Sequence, residues 1–386
     1  MTEFCFVSEP FKPAKWLHPF RKRDVAEHAG SSEYFFYLSR NALNYGLRPM
    51  NLAPGDEVLV PSFICSVASE AIEAAGATPI FFEVNADCSL NLDAVKPQIN
   101  ARTKAVLAVH YFGIPTDLTE LQALCRENGL YLIEYCAHSL GGRCPETGTP
   151  IGSFGDISIF SWRKFLSISD GASLIVNNPE LDGASYPPSA GLGFNLRAAK
   201  SMLDQAFKGG WAPNLRRFIE ATRELVKPSR KASSPPPDQN GEVIERECFD
   251  NAMVDYPISG VSKFLLLRSA IPKISSVRRR NYQYLIDGLS SISGVRPLVP
   301  NFPADASPLV LALRIGDLSD AHLEFRKRGV PASDWGTVKP LTFDADVYPV
   351  AEELYRNLVF LPVHQDLETE DLDRTLSVAT DVAHGA

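Results

Sequence analysis

Lys164 stands in Phe160-Ser161-Trp162-Arg163-Lys164-Phe165-Leu166, directly after the apolar run Ile157-Ser158-Ile159-Phe160. An ammonium held where a buried strand ends is costly to desolvate unless it is paired. The same desolvation lowers a lysine pKa and frees the nitrogen lone pair, the state a Schiff-base nucleophile requires. On position alone a lysine snorkelling to the surface is the plainer explanation. Two further polar clusters follow apolar runs in the same part of the chain: His110-Tyr111, and Glu134-Tyr135-Cys136-Ala137-His138. Together the three clusters supply an amine, two phenols and two imidazoles, a set suited to acid–base or imine-forming chemistry on a small molecule.

The elements that would bring these clusters together are legible between about residues 57 and 176. Apolar runs at Glu57–Val60, Pro79–Val84, Ala105–Val109, Leu130–Ile133, Ile157–Phe160 and Ser173–Val176 alternate with helical stretches such as Ser66–Ala75 and Leu118–Asn128. Gly129 is placed to cap the second of these helices. Continuous apolar strands separated by helices predict an α/β fold with a mostly parallel, helix-covered sheet. Ligands of such sheets bind at the carboxyl ends of the strands, where all three polar clusters fall. Residues 227–241 are rich in Pro, Ser, Lys and Asp and predict an exposed, flexible excursion. A long helical pattern from about Val261 to Leu289, a strand at Leu309–Leu313 and a closing helix at Glu368–Ala379 complete the reading. The expected division is an N-terminal arm and large α/β domain over residues 1–250, and a smaller α/β domain over 251–386.

Composition narrows the function classes. With 38 Lys and Arg against 46 Asp and Glu the net charge is −8, which disfavours nucleic acid or an anionic membrane as partner. Arg21-Lys22-Arg23 and Arg278-Arg279-Arg280 are short basic runs among mixed charges, as on solvated helix faces. Seven cysteines without CxxC spacing predict neither a zinc site nor a disulfide framework. The first residues lack a signal-peptide pattern and no window is a membrane span, so a reducing cytoplasm is the expected compartment.

Several ordered blocks resemble the DegT/DnrJ/EryC1/StrS aminotransferases, the PLP-dependent sugar aminotransferase family. They are Pro54-Gly55-Asp56-Glu57-Val58-Leu59-Val60-Pro61-Ser62, Gly76 to Val84, Arg102 to Val106, Val109 to Asp117, Gly152-Ser153-Phe154-Gly155-Asp156 with Phe160-Ser161, Arg278 to Tyr282, and Leu361 to His364. The resemblance runs from about residue 35 to 380. It implies PLP fold type I, pyridoxal 5′-phosphate as cofactor, a small-molecule substrate and a homodimer with active sites shared between subunits. Lys164 aligns with the lysine of the internal aldimine, and Ser161 with a phosphate-contacting serine. Ser39-Arg40-Asn41 occupies the place of a phosphate loop opening a helix, where backbone N–H groups suit a dianion. An ordinary N-cap by Ser39 is compatible with that role. His138 replaces a glutamine near the cofactor's phenolic oxygen.

Three positions depart from the family. Tyr135 stands where the family carries the aspartate that keeps the pyridine nitrogen protonated, and a tyrosine, with a reference pKa of about 10, is neutral at pH 7. Glu134 is on the opposite face of the strand and is not expected to replace it. Cys65 stands where relatives place an aromatic ring beside the cofactor, and Asp170-Gly171-Ala172 replaces a double-glycine turn. Three functional readings follow. The first is transamination of a ketone on a sugar nucleotide or related intermediate. The second is the same scaffold turned to other chemistry, with or without PLP, using Lys164, Tyr135 and His138. The third is a non-catalytic binding homologue.

Overall fold

The computed structural model describes residues 16–17, 30–183, 191–208, 253–316 and 318–385. The expected excursion at 227–241 and the division at 250 lie outside these residues. Strands β1 (Ser32–Phe36), β2 (Glu57–Pro61), β3 (Thr78–Phe82), β4 (Thr103–Val109), β5 (Tyr131–Cys136), β6 (Ile157–Ser161) and β7 (Ala172–Val176) form one sheet in the order β1-β7-β6-β5-β4-β2-β3. All neighbours from β6 to β3 pair parallel; only β7 runs against the rest, pairing antiparallel with both β6 and β1.

Both faces of this sheet are covered, and alternation along each strand assigns every side chain to one cover. Val58, Val60, Ala105, Leu107, Val109, Ile133 and Tyr135 join the apolar core on the side of helices α1 (Ser39–Leu47) and α2 (Ser66–Ala74). Leu59, Val106, Ala108 and Leu132 join the opposite core, against α3 (Leu92–Val95) and α4 (Thr119–Asn128). Burial on two faces explains why the strands read as unbroken apolar runs. Gly129, left-handed at φ 64°, ends α4 as its position suggested.

Beyond α5 (Leu192–Lys208), a three-stranded antiparallel sheet of β8 (Val295–Pro297), β9 (Val310–Ile315) and β10 (Val359–Pro362) is ordered β10-β9-β8. It shares an apolar core with residues of α7 (Ile271–Leu289), α8 (Ala321–Lys327) and α10 (Thr369–His384). The expected single helix from Val261 to Leu289 is two: α6 (Gly260–Leu266) and α7, separated at 267–270. Pro272 is the reason. It offers no N–H to bond a carbonyl of a preceding turn and its ring would clash there, so it interrupts a continuous helix and suits the first turn of a new one, where it lies. Helix α9 (Pro349–Asn357) completes the set, and its Leu354 and Tyr355 enter the core of the large sheet. No helix among the described residues is long and apolar enough to cross a membrane.

Candidate active site

Glu134 and Tyr135 are consecutive on β5, so the pleat sends them to opposite faces. Tyr135 is 5% exposed, and its phenol shares a hydrogen bond with the Ser39 side chain. The guanidinium groups of Arg40 and Arg163 and the Cys65 thiol act on the same phenol electrostatically. Burial dominates and pushes the Tyr135 hydroxyl up to about 12, with Ser39 and the two arginines opposing. Five positions from four separate segments therefore converge on the end of β5: Ser39 and Arg40 at the start of α1, Cys65 before α2, Tyr135, and Arg163 after β6.

The start of α1 differs from the ordinary capping expected of Ser39. Leu38 is the N-cap, without a side-chain cap, and Ser39 is the first helical residue. Its hydroxyl is thereby directed to Tyr135 instead of to the helix's own amides. Asn41 is spent on attachment: its side-chain amide donates to Met253 O at 2.6 Å and Val254 O at 2.9 Å, and its backbone N–H to Leu38 O at 3.0 Å. Arg40 is buried in the same turn.

His138 follows β5 by two residues. It is buried, and its Nδ1 has no hydrogen-bond partner among the described residues. Its ring lies parallel to Phe112, at 6.2 Å between centroids and 7°, and 4.9 Å from Trp335. Burial, reinforced by the positive charge of Lys164, holds the imidazole well below its usual pKa, so it is neutral. Phe112 has φ 56° and ψ 14°, a left-handed conformation that is strained for an aromatic residue. The surroundings hold it there. Leu309 N donates to Phe112 O at 2.8 Å, and a Cβ on the following Gly113 (φ 90°) would come within 2.0 Å of Ser307 O.

Lys164 closes a 3-10 turn, Trp162–Lys164, immediately after β6. It is half-buried, whereas Ser161 at the strand end is fully buried. The turn is held from the C-terminal region of the chain. Gln365 Nε2 donates to Phe165 O at 2.9 Å, Arg278 Nε donates to Gln365 Oε1 at 2.7 Å, and the Arg278 guanidinium lies 4.9 Å from the Phe165 ring centre. The Arg278 Nη1 group also donates to Pro308 O and Leu309 O, at 3.2 and 3.1 Å, so one buried arginine ties the lysine turn to the segment that bonds Phe112.

On the other face of β5, Glu134 is fully buried and fully engaged. It accepts hydrogen bonds from Gly152 N (2.5 Å), Phe154 N (2.8 Å), Gly155 N (3.0 Å) and Ser158 Oγ (3.2 Å), and pairs with His110 Nε2 at 2.9 Å. His110 Nδ1 accepts from Thr116 N at 3.0 Å, which makes Nε2 the donor to Glu134. Burial alone would raise the Glu134 pKa, but His110 and the loop amides hold it below the usual carboxylate value. Ligand atoms of His110, Glu134 and Cys136 lie within 4.8 Å of one another, a spacing that admits a metal ion. The carboxylate's acceptor positions are already filled, so the group is a structural brace for the Gly152–Ser158 loop. His110, grouped with the other clusters from sequence, is thus separated from Tyr135 by the sheet.

Of the residues expected at the site, Tyr135, His138, Lys164, Ser161, Arg40 and Cys65 gather around the ends of β5 and β6 and the start of α1. Arg163, Phe112, Trp335 and Gln365 were not anticipated, and Arg278, expected on a solvated helix face, is instead fully buried because its guanidinium is bonded to Gln365, Pro308 and Leu309. Arg163 adjoins Lys164 and was open to notice. Trp335 carries no local signal, because only the tertiary fold brings it to His138.

The seven-stranded, mostly parallel sheet, covered on both faces, is a fold shared with solved aminotransferases. Over 96% of its length the chain superimposes on an aminotransferase, TlmJ from Streptoalloteichus hindustanus, at TM-score 0.64, 23% identity and 93% coverage of that chain. A chain of Streptococcus pneumoniae assigned as a sugar aminotransferase, in its PLP form, matches at TM-score 0.64 and 18% identity, covering 96% of this chain and 99% of that one. In sequence, residues 39–186 match the model of the DegT/DnrJ/EryC1/StrS aminotransferase family. One curated relative is the UDP-N-acetyl-3-dehydro-alpha-D-glucosamine 3-aminotransferase of Acidithiobacillus ferrooxidans, 36% identical over 146 residues, 37% of this chain and 39% of the relative. The aligned stretch therefore spans about two-fifths of that relative's length.

Proposed function

We propose that the chain is a PLP-dependent aminotransferase acting on a keto group of a sugar nucleotide or a related biosynthetic intermediate. The observation that carries this reading is the conjunction of Lys164 with a buried His138 Nδ1 that has no partner among the described residues, at the end of a fold-type-I sheet. A buried imidazole nitrogen without a partner is costly, and a ligand able to hydrogen-bond there would offset that cost. The residues present fit PLP in this respect: a lysine for covalent attachment, a neutral imidazole nitrogen beside it, and the amino end of α1 with Arg40 for a phosphate. When bound, that cofactor supplies electron withdrawal from the substrate's amino-bearing carbon.

The chain's own groups divide the remaining work. Lys164 is the residue that would hold the cofactor, and its amine is placed to take up or return a proton beside it. Arg278 and Gln365 orient that lysine by fixing the Phe165 carbonyl and ring. Trp335 and Phe112 keep water from His138 and fix the plane of its ring. We place the cofactor-binding unit within residues 1–250 and the smaller unit within 251–386, and we expect a homodimer. The sugar-nucleotide class is supported by the name of the Acidithiobacillus ferrooxidans relative, a 3-aminotransferase of a UDP-linked dehydro sugar.

The test is a full turnover. Purified protein with PLP, 15N-labelled glutamate and a panel of nucleotide-linked keto sugars is expected to yield a 15N-labelled amino sugar, read by mass spectrometry. Absence of labelled product across 3-keto and 4-keto sugars, with PLP bound, would overturn the transaminase reading.

A further inference from the structure

Resting on the reading that PLP is held at Lys164, we infer that Tyr135 meets the pyridine nitrogen as a neutral hydrogen-bond donor and leaves it without a proton, the phenolic oxygen being supplied in turn by Ser39. Three arrangements in the site carry this. First, the phenol and the Ser39 hydroxyl share a hydrogen bond. If Ser39 donates, the phenol's only proton is free to face a nitrogen lone pair, whereas a protonated nitrogen has no lone pair to receive it. Second, the formal charges that act on this phenol, Arg40 and Arg163, are both positive, and Lys164 adjoins Arg163. A pyridinium would place another cation among them. Third, Glu134, the nearest carboxylate in sequence, is held on the opposite face by three loop amides, Ser158 and His110. It cannot turn to compensate without breaking that brace.

Burial keeps the Tyr135 hydroxyl protonated, with its pKa pushed up to about 12, so the donor persists across the physiological range. The Ser39 hydroxyl, freed from capping α1, is thus a positioning group for Tyr135. The ring's electron withdrawal is correspondingly weaker than with a pyridinium, and Tyr135 sets that electronic property instead of merely filling space.

The experiment is 15N NMR of the full-length protein reconstituted with PLP labelled at the ring nitrogen. The wild type is expected to resonate at the unprotonated-pyridine position, unchanged between about pH 6 and 9. Tyr135→Phe is expected to remain unprotonated and to move closer to non-hydrogen-bonded pyridine, and Ser39→Ala to shift part of the way. Tyr135→Asp is expected to move to the pyridinium position at neutral pH. A wild-type resonance at the pyridinium position overturns the inference while leaving PLP binding intact. If no bound resonance and no borohydride-fixed adduct on Lys164 are found, the parent reading fails as well. Should Tyr135→Asp fail to fold, the wild-type shift alone still decides.

Discussion

Glu134 and Tyr135 are neighbours on one strand, yet the two faces they serve are built on opposite terms. On the Glu134 side a buried carboxylate is saturated by loop amides, a serine and a histidine. On the Tyr135 side, the group around Ser39, Arg40, Arg163 and Lys164 leaves a buried His138 nitrogen without a partner among the described residues. A satisfied network is a structural joint, because nothing in it has anything left to offer a ligand. A buried nitrogen without a partner among the described residues is where a ligand able to hydrogen-bond repays binding. The same strand thus braces a loop with one residue and, on the proposed reading, faces the cofactor with the next.

Substitutions on the two faces should separate these roles. Lys164→Ala carries the largest expected effect. Turnover should fall on the order of 10⁴-fold or more, about 5.5 kcal/mol of barrier, with little change in melting temperature. A loss of under tenfold would remove the lysine from the chemistry. Glu134→Ala should do the reverse and cost about 3–5 kcal/mol of folding stability, since it strands three buried amides and His110. Glu134→Gln should recover part of this, its one carbonyl replacing two acceptor oxygens. Denaturant midpoints check both, and a Glu134→Ala protein of wild-type stability would break the contrast between the faces.

The smallest effect is the pH dependence of stability in the cofactor-free protein. His138 is kept neutral by burial and by Lys164, with the rings of Tyr111, Phe112 and Trp335 beside it among the described residues. His364 is likewise held well below its usual pKa by burial and by Arg278, against the opposing Asp366 carboxylate 3.7 Å from its Nδ1. For both, the unfolded chain binds a proton that the native state refuses. Their contribution is full above the unfolded value of about 6.5 and is lost as pH falls below it. At pH 5.5 each should cost up to about 1.4 kcal/mol, a drop of a few degrees in melting temperature. Glu134 has a depressed pKa, so its contribution is present above the unfolded carboxylate value and lost as pH falls through its native pKa. His138→Gln should remove its share of the loss between pH 7 and 5.5. A melting temperature flat over that interval would show that neither imidazole is held neutral.

Much of this was legible before the coordinates. The six apolar runs from Glu57 to Val176 became six strands because double-faced burial requires unbroken apolar sequence. The face assignment of Glu134 against Tyr135 followed from the period of a strand alone. Other features depend on contacts the chain order conceals. Ser39 looks like an N-cap, and its turn away from α1 is visible only once Tyr135 is beside it. The strained Phe112 is stabilised by Leu309 and Ser307, almost two hundred residues away. Strands β1, β8 and β10 are short or at sheet edges, where periodicity carries little signal. The break before α7 was legible in principle at Pro272, but the apolar pattern continuing across it masked the boundary.

The most direct test of the central claim is borohydride reduction of the PLP-treated protein followed by peptide mass spectrometry. A pyridoxyl adduct on the peptide containing Lys164, absent from Lys164→Ala, is the predicted result. A protein that takes up no PLP, or one labelled only at surface lysines, would contradict it.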